Sequence, residues 1–282
     1  MKFGMPTAEI FVPDGLPLTE ALARTTHMAI GAHPDDLEIG LYHGILECFG
    51  RSDKWFAGVI VTNGSGSPRD DLYANYTDED MQNVRRAEQK KAACVGEYGS
   101  VALLDYTSAA VKDPANSDVV KDIKSLLEAA RPETVYTHNL ADKHDTHVAV
   151  ALRAISAIRA LPVSARPKVV YGCEVWRALD WINDEDKIAF DVGSHENLAA
   201  ALVGIFDSQI CGGKRYDLAT IGRRRANATY HASHGADVTT SLMYAMDLKP
   251  LIDDESMDPE EYVNDFILRF SDDVTLRIEK LR

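Results

Sequence analysis

"MAIGAHPDDLEIG", residues 28–40, runs from an apolar stretch into one histidine and two adjacent aspartates. The first half, "HMAIGA" (27–32), has the length of a short buried strand. The second half opens a helical spacing, "LEIGLYHGILECFG" (37–50), with Gly50 as its expected C-cap. A strand feeding directly into a helix is the repeating unit of α/β proteins, and the chain outward from it keeps the alternation. "WFAGVIVT" (55–62) reads as a strand, "NGSGSPRDDLYANYTD" (63–78) as a loop of turn formers, and "DEDMQNVRRAEQKKAACVGEYG" (78–99) as a long helix. "VALLDY" (101–106), "ETVYTH" (133–138) and "KVVYGCEVW" (168–176) read as further strands, with helices over 117–132 and 144–161 between them. Later helices are expected at 194–206, with Ser194 as N-cap, and at 258–270, with Asp258 as cap and Pro259 in first position.

This order predicts a Rossmann-like α/β fold: a mostly parallel sheet with right-handed crossovers and helices on both faces. No repeat, low-complexity run or linker interrupts the 282 residues. A single domain over 1–282 is expected, with a core at about 26–220 and a C-terminal elaboration at 221–282. With 30 Lys and Arg against 44 Asp and Glu, the formal charge is −14, which argues against a general nucleic-acid or anionic-membrane binder. A local basic pocket is still allowed, with Arg223, Arg224 and Arg225 available to supply it. The four cysteines are scattered without a CxxC pair, so neither a disulfide framework nor a thiolate metal site is indicated. No apolar run matches a signal peptide or a membrane span, and a cytoplasmic setting is expected. The composition is compatible with a homo-oligomer.

Ligands of open α/β sheets collect at the carboxyl ends of strands. His33, Asp35 and Asp36 stand there, with Pro34 stiffening the turn. One aspartate at a helix start is an ordinary cap. A second beside it meets like-charge repulsion, which a divalent cation relieves. A dinucleotide fits poorly, because "GAHPDD" is not G-x-G-x-x-G and its acids repel a pyrophosphate. A second cluster, "YTHNLADKHDTHVAV" (136–150), holds His138, Asp142, His144, Asp145 and His147, so three of the nine histidines fall close together. His144 and His147, three apart, share a helix face. If the two clusters meet, they can form a two-histidine, one-carboxylate centre with open positions, as in catalytic metal sites.

These motifs resemble those of the PIG-L/LmbE-like zinc-dependent N-deacetylases. The hallmark Ala-His-Pro-Asp-Asp is intact at 32–36, and Asp142-Lys-His144-Asp-Thr-His147 is similar to the family's Asp-x-His-Pro-Asp-His segment. "VTNGSG" (61–66) is similar to its Thr-x-Gly-x-x-Gly loop, Arg85 and Glu88 to its Arg-x-x-Glu helix, and "DSQI" (207–210) to its Ser-Gln motif. The resemblance implies that His33, Asp36 and His147 hold Zn2+, with Fe2+ or another divalent metal accepted by the same donors. It implies Asp35 as general base and His144 as donor to the oxyanion. Arg85 is expected to contact substrate hydroxyls, although pairing with Glu88 along the helix accounts for it equally. Thr146 stands where the family has an orienting aspartate. Asp142 and Asp145 are the acids near enough to replace it or to contact substrate. The implied reaction removes the N-acetyl group from an N-acetylglucosamine-type sugar or small glycoside conjugate. A catalytically silent metal- or sugar-binding protein and an iron-dependent oxygenase are the competing classes. Gln209, Tyr216, Trp176 and Trp181 are further candidates for a sugar pocket, and the pair His231 and His234 for a substrate loop.

Overall fold

The apolar runs become the inner strands of one eight-stranded sheet, described over residues 1–282 by a computed structural model. In chain order the strands are β1 (Glu9–Phe11), β2 (His27–Gly31), β3 (Phe56–Thr62), β4 (Ser100–Tyr106), β5 (Thr134–His138), β6 (Val169–Cys173), β7 (Ile188–Asp191) and β8 (Leu242–Asp247). The helices that cover them are α1 (Leu18–Ala23), α2 (Asp36–Gly40), α3 (Tyr42–Cys48), α4 (Asp78–Val95), α5 (Ser108–Lys112) and α6 (Asp118–Ala130). They continue with α7 (Asp145–Arg159), α8 (Glu196–Gly204), α9 (Asp207–Ile210), α10 (Tyr216–Tyr230), α11 (Lys249–Asp253) and α12 (Pro259–Leu281). No helix is long and apolar enough to cross a membrane.

The strand order is β1-β4-β3-β2-β5-β6-β8-β7, with β2 to β6 parallel and β1 and β8 antiparallel to their neighbours. The chain leaves β2 for β3 and β4 on one side, then returns to the other side of β2 as β5. That reversal opens a crevice between the carboxyl ends of β2 and β5, the position at which such sheets bind ligands. Strands covered on both faces need apolar residues at every position. Accordingly Met28 and Ile30 enter a core under α5, α6, α7 and α11, while Ala29 enters a second core under α2, α3, α4 and α8.

Five expectations change. The helix read over 37–50 breaks at Leu41 into α2 and α3, and ends before Gly50. The strand read over 168–176 stops at Cys173, because the following residues turn toward the loop after β5. α8 begins at Glu196 with His195, not Ser194, as N-cap, and α12 starts at Asp258 as expected but runs on to Leu281. Finally, the sheet does not respect a boundary near residue 220. β8 inserts between β6 and β7, and Met246 and Leu248 join the main core.

Candidate metal centre and active site

The turn after β2 and the loop after β5 face each other across the crevice. His33 Nδ1, Asp36 Oδ2 and His147 Nε2 form a triangle with sides of 3.3, 3.2 and 3.4 Å. Two donors about 2.0–2.1 Å from a tetrahedral ion are separated by about 3.3–3.4 Å, so the triangle has the size that zinc requires. The donor chemistry fits as well. Asp142 Oδ2 lies 3.2 Å from His147 Nδ1, where that nitrogen donates, which leaves the Nε2 lone pair facing the Asp36 carboxylate and the His33 ring. Three acceptors brought together this way call for a cation between them. His33, Asp36 and His147 would hold it.

Asp142 is therefore placed by the structure behind the centre. Its side chain accepts from the amides of Val175 and Trp176 at 2.9 and 3.4 Å and from the His144 amide at 3.1 Å. Burial works against its charged form, but the hydrogen bonds from His147 and the Val175 amide help to outweigh it and hold the carboxyl at about 2. A carboxylate on the far nitrogen of a ligating histidine fixes the ring and its tautomer. Asp142 does not reach the cavity as a substrate contact. Nor does Asp145, which is exposed in the first turn of α7 and does not line the cavity. Neither acid replaces the family's orienting aspartate, because His144 Nδ1 is buried without a hydrogen-bond partner and Thr146 is buried beside it.

Asp35 occupies the mouth of the centre. It lines the cavity, and burial pushes its carboxyl up to about 6 against the pull of Arg85. Its φ of 101° lies in a left-handed region that costs a non-glycine residue roughly 1–3 kcal/mol. The surroundings hold it there. Its amide donates to Gln89 Oε1 at 3.2 Å, Gln89 Nε2 donates to Glu38 Oε1 at 2.8 Å, and Tyr98 donates to the same oxygen at 2.6 Å. Glu38 is fully buried, and burial raises its carboxyl to about 7. From the other side Arg85, only 1% exposed, donates to the Pro34 carbonyl and to Asp35 Oδ2 at 3.2 Å. Arg85 lines the cavity and also lies 3.9 Å from Glu88, so both readings of this arginine meet in one geometry. Glu88 is in turn held by the amide and hydroxyl of Ser208, each at 2.7 Å, which explains the Ser-Gln segment.

Sequence spacing gave His138 no role and did not reveal Gln89, Glu38 or Tyr98. His138 is fully buried, stacks on His147 with ring centroids 3.9 Å apart, and lies 3.2 Å from Asp36 Oδ2. Its Nε2 accepts from the Ala32 amide at 2.9 Å, and burial beside His147 lowers its pKa to about 4, so it stays neutral. Its position as the last residue of β5 was the available signal. His144 stacks on His147 and faces the cavity, where Thr146, Trp176, Gln209 and Tyr216 join it in enclosing about 450 Å³. Trp181 instead donates to Glu174 at 2.8 Å, and His231 and His234 lie outside the cavity lining.

Fold and centre together define a class: a Rossmann-like α/β protein whose switch-point crevice presents a two-histidine, one-carboxylate cluster with a further carboxylate at its mouth. Residues 28–158, just under half of the chain, match the family described as PIG-L, GlcNAc-PI de-N-acetylase. Among curated proteins, an uncharacterized deacetylase of Escherichia coli, YaiS, is 24% identical over 151 residues, which cover 54% of this chain and 77% of the relative. The structure of N,N'-diacetylchitobiose deacetylase from Pyrococcus horikoshii superposes with a TM-score of 0.63 at 16% identity, over 82% of this chain and 86% of that one. GalB, a 4-carboxy-2-hydroxymuconate hydratase from Pseudomonas putida, superposes with a TM-score of 0.61 at 17% identity, over 79% and 96% of the two chains. At these identities the structural likenesses speak for the fold, which carries more than one chemistry.

Proposed function

We propose that this protein is a metal-dependent N-deacetylase that hydrolyses the acetamide of an N-acetylglucosamine-type sugar or small glycoside, in the cytoplasm. The observation that carries this reading is the triangle of His33, Asp36 and His147 with Asp35 standing beside it unliganded. A divalent cation bound there, Zn2+ or Fe2+, supplies a Lewis acid for the amide carbonyl and acidifies water. Asp35 takes the proton of the attacking water and later delivers it to the leaving amine, so that acetate and a free amine result. Arg85 keeps the Asp35 carboxylate aimed at the attacking water. His144 donates to the oxygen that becomes anionic, a contact typically worth about 3–4 kcal/mol. Trp176 and Tyr216 give the sugar apolar faces to lie against.

The test is acetate release from a panel of N-acetylglucosamine conjugates, with chelated and metal-restored protein. Release is expected to need metal, to proceed without oxygen, and to fall about 10²–10⁴-fold in Asp35→Asn while metal content stays unchanged. Metal binding without release from any conjugate would favour the silent sugar-binding reading, which the unpartnered His144 Nδ1 keeps in play.

A further inference from the structure

The last helix carries an apolar stripe that the fold leaves uncovered. α12 packs on the body through Val263 and Phe266 and then departs from it: every residue from Val274 to Arg282 is exposed. Ile267, Val274 and Leu281 recur every seven residues, with Phe270 and Ile278 three and four positions after the first two. All five share one side of the helix, the spacing of a helix that packs along another helix. Ile267, Val274, Ile278 and Leu281 are 41, 40, 57 and 80% exposed. The stripe also forms one wall of an open groove of about 390 Å³, whose opposite wall is the turn carrying Asp180, Ile182 and Glu185.

Charge and register identify what covers it. A net charge of −14 disfavours an anionic membrane surface. Within the chain Asp184 is taken by Lys187 and Arg277 by Asp273, whereas Asp180 and Glu185 beside the groove, and Lys280 and Arg282 on the helix, have no ion pair. On one chain Arg269 already bridges the helix to Asp186 of that turn, while Lys280 and Arg282 lie beyond the residues that line the groove and stay apart from Asp180 and Glu185. The stripe is also its own complement. Laid antiparallel about Val274, two copies set Val274 against Val274, Phe270 against Ile278, and Ile267 against Leu281. Such a self-matching patch is the signature of a two-fold interface.

We propose that α12 is a dimerisation helix: a second copy of this chain lays its own α12 antiparallel along the stripe, its Lys280 and Arg282 running beside Asp180 and Glu185. The contact buries apolar residues that gain nothing from water, along a segment whose residues from Val274 onward are all exposed.

Light scattering after size exclusion, at about 100 µM protein, is expected to give twice the 31.1 kDa chain mass. Val274→Glu combined with Ile278→Glu is expected to yield a monomer, with dissociation constant raised roughly 100-fold or more and an unchanged circular dichroism spectrum. Both positions are exposed, so folding is not at stake. Val274→Cys is expected to form an intermolecular disulfide under mild oxidation, because the axis brings it to its own copy. Leu276→Cys, on the opposite side of the helix, is expected to cross-link no more than the wild type with its exposed Cys94. A wild-type chain that stays monomeric at that concentration overturns the proposal. So does an oligomer indifferent to the double glutamate variant, and so does binding of the monomer to lipid vesicles through the same stripe.

Discussion

Asp35 and Asp36 are neighbours in one turn, yet their carboxyl groups are driven in opposite directions. Burial raises both, but Asp36 faces His147 and His138 and ends well below the usual carboxylate range, whereas Asp35 faces chiefly Arg85 and ends at about 6. The adjacency was legible in the sequence; which carboxylate turns to the histidines was implied only by family resemblance, since both stand on the same turn. Asp36→Asn is therefore expected to lose the metal, and Asp35→Asn to keep it, as measured by metal analysis of the dialysed protein. Asp142 makes the complementary point. Its sequence neighbours suggested a substrate contact or a partner for His144, but three backbone amides and the His147 ring claim it. Asp142→Asn is expected to weaken metal affinity about 10–100-fold, read by competition with a chelator, with a smaller effect on the substrate KM.

Among the elements, those with strong local signals were legible and those defined by pairing were not. The start of α4 is a capping box, Thr77 with Asp80, and α12 begins on the Asp258 cap read from sequence. Thr77→Ala is expected to cost about 1 kcal/mol in a denaturant titration, with turnover retained, because Thr77 does not line the cavity. β1 has only three residues, too short for periodicity to reveal, and β8 lies outside the strand–helix alternation; both are held antiparallel by pairing with a neighbouring strand. The loop after β3 joins element to site. Gly64 has φ +71°, and a Cβ there would lie 3.2 Å from Arg85 Cγ. Gly64→Ala is expected to destabilise by roughly 1–2 kcal/mol and to lower turnover by shifting Arg85 off Asp35, measured as Tm and as kcat on the same preparation.

At the scale of the whole molecule, stability depends on pH through groups the fold has buried. His43 stacks on Phe190 at 3.9 Å and hydrogen-bonds Tyr136 at 2.9 Å, and burial lowers its pKa from 6.5 to about 4. Between those values the unfolded chain binds a proton that the folded one refuses. Its contribution is therefore intact above about pH 6.5 and falls away as pH drops toward 4. His43→Gln is expected to remove about 2–3 kcal/mol of that acid sensitivity, read as the difference from wild type in urea unfolding across the same range. Sequence by itself determined the alternation of strand and helix and the supply of histidines and acids after two strands, because propensity and periodicity act over a few residues. Only the tertiary structure decided which of them meet. Placing β2 beside β5, with Ile30 opposite Thr137, brings His33 and His147 to 3.2 Å across more than a hundred residues of chain. The insertion of β8 and the uncovered stripe of α12 arose the same way: strand pairing and burial are long-range, and no local stretch of sequence encodes them.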